Sequence, residues 1–160
     1  MPDGRWSVST SIGIDASPET VWGILTDLDR ADTVLAGIIA LERLGGPTGY
    51  AVGTRWRETR RLFGKTATED MEVASVDPLR STRVVASSHG ADYVSEFHLD
   101  PTAEGTRLTM DFTSAPSPGA SGVARAFGAL LAPLGAAATR SAMRKDLDDI
   151  RRAAEMALHS

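Results

Sequence analysis

Four residues carry the types that move protons or grip oxygen: Glu58, Arg60, Glu69 and Tyr93. On alternating stretches, Glu58 and Arg60 fall on the same strand face as Trp56, and Glu69 on the same face as Met71 and Val73. That places two acids and one arginine on the apolar side of a sheet, where an unpaired charge is costly. One reading is an acid/base site. Arg60 would hold a ligand carboxylate or enolate oxygen, and Glu58 or Glu69, its pKa raised by burial, would move a proton. The other reading is structural, with Arg60 and Glu69 as cross-strand partners near the open end of the sheet, solvated and worth about 0.2–1 kcal/mol. Tyr93 has the same two readings, a donor to a ligand carbonyl or a packed ring whose hydroxyl reaches water.

Other chemistries find little support. The chain has no cysteine, which removes disulfides, thiolate metal sites and cysteine nucleophiles. Of the three histidines, His98 alternates onto the outer face with Glu96, His89 abuts a turn glycine and His159 sits in the tail. No pair has metal-ligand spacing, so neither a metal nor a cofactor is expected. No Ser/His/Asp constellation and no phosphate-binding glycine loop can be assembled. The net charge of -4 argues against nucleic acid as a partner. Arg55, Arg57 and Arg61 form a basic face, but Asp70 and Glu72 answer it across the strands, as on a solvated sheet face.

The elements that must position these residues follow from periodicity. Trp6, Val8, Thr10, Ile12 and Ile14 alternate with small or polar residues as a first strand. Ser17-Pro18-Glu19 caps a short helix carrying Val21, Trp22, Leu25 and Leu28, and a second brief turn runs from Asp32 to Leu35. Strands follow at Ile38 to Leu44, Val52 to Phe63, Thr66 to Val76, Thr82 to Ser88, Tyr93 to Leu99 and Leu108 to Phe112. Gly64-Lys65 reads as a two-residue type II′ loop. That loop sets Arg60 opposite Glu69, Glu58 opposite Met71 and Trp56 opposite Val73. Strands joined by tight turns, with helices set apart at the ends, give an α+β class with an antiparallel sheet.

The segment from Gly119 to Ser160 reads as one long helix. Met143, Leu147, Ile150, Ala154 and Leu158 form its buried stripe, while Arg144, Lys145, Asp148, Asp149, Arg152 and Glu155 take much of the remaining circumference. Continued backwards, the stripe becomes Thr139, Ala136, Ala132 and Ala129. Either Pro133 bends the helix or small residues leave a hollow beneath it, and the two causes are compatible. At 160 residues the chain has the size of one domain. The start lacks a secretory pattern and no apolar run reaches the roughly 20 residues of a membrane span, so a cytoplasmic protein without a membrane span is expected.

Several motifs resemble the START-like, or SRPBCC, superfamily and its polyketide cyclase/dehydrase-like group. They are Ala16-Ser17-Pro18-Glu19-Thr20-Val21-Trp22, Val52-Gly53-Thr54-Arg55-Trp56, Val73-Ala74-Ser75-Val76-Asp77-Pro78, Glu104-Gly105-Thr106-Arg107-Leu108, and Lys145-Asp146-Leu147 in the closing helix. The resemblance covers nearly the whole chain and implies a helix-grip fold, a curved antiparallel sheet of about six or seven strands wrapped round the C-terminal helix. It also implies an elongated cavity for a small hydrophobic, aromatic or lipid-like molecule, and in some members a cyclase or dehydratase activity. Mapped onto the inward residues, the apolar wall would be Trp56, Met71, Phe97, Met110 and Phe112. Glu58, Arg60, Glu69, Tyr93 and Ser95 would supply polar contacts, and Phe127 and Leu131 would cover the mouth. A cavity filled by its own side chains is the non-catalytic alternative, and a homodimer is compatible with either.

Overall fold

The computed structural model describes residues 5–62, 64–88, 90–118 and 122–157, with the backbone alone at 62, 88 and 122–134. Phe127, Leu131 and Pro133 therefore contribute no described side chain, and His89, Leu158 and His159 lie outside the described residues.

Seven strands form one antiparallel sheet in the order β1-β7-β6-β5-β4-β3-β2. They are β1 (Trp6–Ile14), β2 (Ile38–Gly45), β3 (Arg55–Leu62), β4 (Lys65–Asp77), β5 (Ser81–Ser88), β6 (Ala91–Pro101) and β7 (Thr106–Pro116). Between β1 and β2 lie α1 (Pro18–Leu25), a single tight turn (Leu28–Arg30) and α2 (Ala31–Val34). The chain closes with α3 (Gly122–Ala157), 36 residues long. The helical span continues through position 133. Among the described residues, no helix is long and apolar enough to cross a membrane. This is the helix-grip fold, with the curved sheet closing on α3 and the two short helices filling one end.

Local chemistry explains the junctions. Ser17 caps α1 by accepting a hydrogen bond from the Thr20 amide at 3.2 Å, and Pro18 occupies the first turn, where its missing N–H costs nothing. Register shifts interrupt β2 between Ile38 and Ala40 and between Arg43 and Gly45, and β4 between Val73 and Ser75 against β5. Irregularities of this kind bend a strand and sharpen its twist, which lets seven strands curl rather than lie flat.

The core forms two clusters. Val8, Ile14, Leu108 and Met110 from the sheet pack with Val21 of α1 and with Met143, Leu147, Ile150 and Ala154 of α3. The helical stripe read from periodicity is thus the buried one, and Ala136 joins it. Leu28, Trp56, Val73 and Val84 make a second cluster toward β3 and β4.

Two expectations need correction. Leu62 pairs with Lys65, so the β3–β4 hairpin closes one residue earlier than a Gly64-Lys65 loop requires, which moves every partner by two. Gly64 takes a φ of 79, supplying the left-handed conformation inside the connection rather than at its first position. Arg60 consequently opposes Ala67, Glu58 opposes Glu69, and Trp56 opposes Met71. A shift of two preserves which face each side chain occupies but changes every partner. The second correction concerns Asp149, assigned above to the helix's polar circumference. It is buried, accepts the Ala36 amide at 3.0 Å and is held by Arg152. A helix tucked under α2 has less free circumference than its sequence pattern indicates.

Candidate functional site

Between the sheet and α3 lies a cavity of about 540 Å³. Its sheet side is made by Trp6 of β1, Met110 and Phe112 of β7, Tyr93 and Ser95 of β6, Val84 and Ala86 of β5, Ala67, Glu69 and Met71 of β4, and Glu58 and Arg60 of β3. Its helix side is Gly135, Ala138, Thr139, Ala142, Met143 and Asp146. The positions 135, 139, 142 and 146 step along the helix by four, three and four, one face over from the core stripe. The hollow therefore arises because α3 presents a small-residue face beside its apolar one. A Cβ on Gly135 would stand 3.4 Å from the Trp6 ring, so the helix passes close to β1 there. A second cavity of about 110 Å³ lies under α1 and α2, lined by residues including Leu25, Val34, Tyr50, Trp56 and Phe97.

The wall shared by the two cavities combines an ionic group with Met71, Val84, Ser95 and Met110. Glu58, Arg60 and Asp146 line both. Arg60 donates from Nε to Glu58 at 2.5 Å and from Nη1 to both oxygens of Asp146 at 2.8 and 3.1 Å. The other Glu58 oxygen accepts the Trp56 indole N–H at 3.3 Å. Burial opposes the charge of Arg60, but Asp146 and Glu58 outweigh it and hold the guanidinium above its ordinary pKa. Burial also raises the Asp146 carboxyl. Arg60 opposes that rise, while the neighbouring charges of Glu58 and Asp149 add to it. Two carboxylates sharing one arginine in a dry site account for both directions.

Glu69 stands apart from this network. Its Oε2 is buried without a hydrogen-bond partner among the described residues, and the acid directly across the hairpin is Glu58 rather than the expected arginine. Tyr93 titrates above its ordinary range, first because of burial and then because of the Glu69 charge. Its ring stacks on Phe112 with centroids 5.8 Å apart, and Phe112 in turn meets Trp6 at 5.6 Å.

Of the residues expected at the site, Glu58, Arg60, Glu69, Met71, Tyr93, Ser95, Met110 and Phe112 come together in the large cavity. Trp56 and Phe97 line the small one instead. Phe127 and Leu131 fall among the residues whose side chains are not described. Missed were Trp6 and Asp146, whereas small residues of the helix, Thr139 among them, were expected to leave a hollow. Asp146 carried a signal, since it lies three residues past Met143 and one before Leu147, on the edge of the buried stripe, where a carboxylate requires a partner.

The outer face of the sheet holds a separate charged group. His98 lies 3.3 Å from Glu96 and 3.5 Å from Asp111, and among the described residues these three are the group with a metal's ligand geometry. The grouping comes from pairing across β6 and β7, which spacing within one strand does not reveal. Arg83 already binds Glu96 and, foremost among its neighbours, holds that carboxyl below its ordinary range. The group is partly exposed and reads as a surface charge network.

No curated protein matches the chain. Among solved structures, it resembles TTHA0849 from Thermus thermophilus, with 22% identity, a TM-score of 0.77, and coverage of 95% of this chain and 99% of that one. It also resembles the Zhui aromatase/cyclase from Streptomyces sp. R1128, at 16% identity, TM-score 0.73 and 94% of both chains. A protein of unknown function from Staphylococcus aureus, SA2116, aligns at 12% identity and TM-score 0.71 over 98% of this chain and 97% of that one. These likenesses establish the shared fold. The model of the family described as polyketide cyclase / dehydrase and lipid transport matches residues 5–155, and the chain belongs to that family.

Proposed function

We propose that the protein binds a small hydrophobic or aromatic molecule in the cavity between the sheet and α3. The observation that carries this reading is the cavity itself, about 540 Å³, within the roughly 300–1,000 Å³ of small-molecule sites. Its walls are mainly apolar, with a few polar groups to fix orientation. Such a volume left empty costs packing energy, which favours a bound molecule. Native mass spectrometry of gently purified protein, with a titration of apolar fluorescent probes, tests it. A retained small molecule or saturable probe binding supports the reading, and failure of both sinks it.

A second reading, a cyclase or dehydratase-type enzyme, is favoured by Glu69. Glu58 is committed to Arg60 and Trp56, so Glu69 is the cavity carboxylate free to take a proton, with Tyr93 beside the same space. Arg60 is a less suitable anchor for a ligand carboxylate than its sequence position indicates, because its Nε and Nη1 are engaged. On this reading, Glu69→Gln lowers turnover of an enolisable polyketone by about 10²-fold or more. An unchanged rate removes Glu69 from the chemistry.

A further inference from the structure

The charges facing the large cavity do not balance. Among the described residues, three carboxyl side chains, Glu58, Glu69 and Asp146, line it with a single guanidinium, that of Arg60. Arg60 is consumed by Glu58 and Asp146, and Glu58 also accepts from Trp56. Glu69 alone is left over. Its Oε2 is buried with no hydrogen-bond partner among the described residues, a condition that native proteins generally satisfy with a donor from somewhere. The hairpin register explains the shortage, since Glu58 occupies the position opposite Glu69 where a cation would have answered it.

The wall beyond Glu69 is aromatic. Tyr93, Phe112 and Trp6 form a continuous run, with centroids 5.8 and 5.6 Å apart and interplanar angles of 27° and 41°. Ring faces carry partial negative charge and attract cations, more strongly where water is excluded. An uncompensated carboxylate and a run of aromatic rings in one apolar space share a preference. Both favour a positively charged donor and disfavour an anion.

We infer that the cavity takes an aromatic molecule carrying a protonated amine, with the ammonium on Glu69 and the ring system against Trp6, Tyr93 and Phe112. This assignment rests on the binding reading above and specifies its ligand class. A neutral hydroxyl would satisfy the hydrogen bond but leave the charge unmatched. A carboxylate would add a fourth anion to a site with one cation.

Three probes of one shape test it: 2-naphthylmethylamine, 2-naphthylmethanol and 2-naphthoate, each titrated into the full chain by calorimetry at neutral pH. The amine is expected to bind about tenfold tighter than the alcohol, the step set by one charge-assisted hydrogen bond over a neutral one. The naphthoate is expected to be the weakest of the three. In Glu69→Gln, the amine falls to the level of the alcohol. Equal affinities, or a preference for the naphthoate, overturn the assignment while leaving small-molecule binding intact. Binding of none of the three also overturns the assignment, while the binding reading itself is decided by the native mass spectrometry and fluorescent probes. The wild-type series decides the matter even where the variant does not fold.

Discussion

Arg60 and Asp146 meet across 86 residues of sequence, guanidinium to carboxylate at 2.8 and 3.1 Å, and tie β3 to the middle of α3. Their side chains retain only 21% and 12% of their exposure, so water screens the pair little. Removing one partner strands the other. Asp146→Ala is therefore expected to lower the unfolding free energy by about 3–5 kcal/mol, measured by urea denaturation. Replacing Glu58, Arg60 and Asp146 together by Leu, Met and Leu is expected to be near neutral, because no buried charge is left unpaired. A loss in the triple variant as large as in the single one would show that the ions contribute more than they cost.

The hollow under α3 predicts tolerance to larger side chains. Ala142→Leu and Thr139→Leu point into the cavity from the helix. Each is expected to weaken apolar probe binding by about tenfold or more while leaving thermal stability unchanged or raising it by about 0.5–2 kcal/mol, as cavity filling does. A destabilisation of several kcal/mol would mean that the space is already occupied.

Both tyrosines titrate above their ordinary value. Tyr50 is raised by burial, against the hydrogen bond it shares with Thr82, and Tyr93 by burial and then by Glu69. A folded-state pKa above the unfolded one means that the folded state holds the proton more tightly. The resulting stability is present below about pH 10 and is lost as pH rises through the folded values. Urea midpoints should therefore fall as pH rises above about 10. Ultraviolet titration of Glu69→Gln should show one tyrosine ionising at lower pH than in the wild type, and coincident titrations would place Glu69 too far from Tyr93 to act on it.

Thr54 is fully buried, and its hydroxyl donates to the Pro47 carbonyl at 2.9 Å and accepts the Ala51 amide at 3.1 Å. Thr54→Val keeps the shape but removes both bonds, at an expected cost of about 1–3 kcal/mol by chemical denaturation. The loop also depends on Gly46, whose φ is 81 and where a Cβ would come within 2.0 Å of the Gly53 carbonyl oxygen. Gly46→Ala is expected to be at least as damaging as Thr54→Val.

These loop residues show what was legible in the chain. The Val52-Gly53-Thr54-Arg55-Trp56 motif marked the fold, and its threonine and glycine have backbone roles that a local sequence can encode. Alternation placed Glu58, Arg60, Glu69 and Tyr93 on the inner face correctly, because a period of two survives an even register error. Their partners were not legible. A loop misplaced by one residue, and hence a register off by two, gave Glu69 an arginine it does not have, and Arg60's actual partner lies on a helix 86 residues away. Periodicity likewise found the core stripe of α3 but counted Asp149 as solvated, since burial under α2 is a tertiary fact. The cluster of Glu96, His98 and Asp111 escaped notice for the same reason, as its members meet only across paired strands.

The ion pairs in the wall between the two cavities act as a ruler. A molecule lengthening from the large cavity toward the small one meets Arg60, paired with Glu58 and Asp146, in the wall that both share, and the further 110 Å³ lie beyond it. Chain length is then limited by the electrostatic work of opening a door, so homologous ligands should gain affinity with each added carbon up to the arginine and stop gaining there.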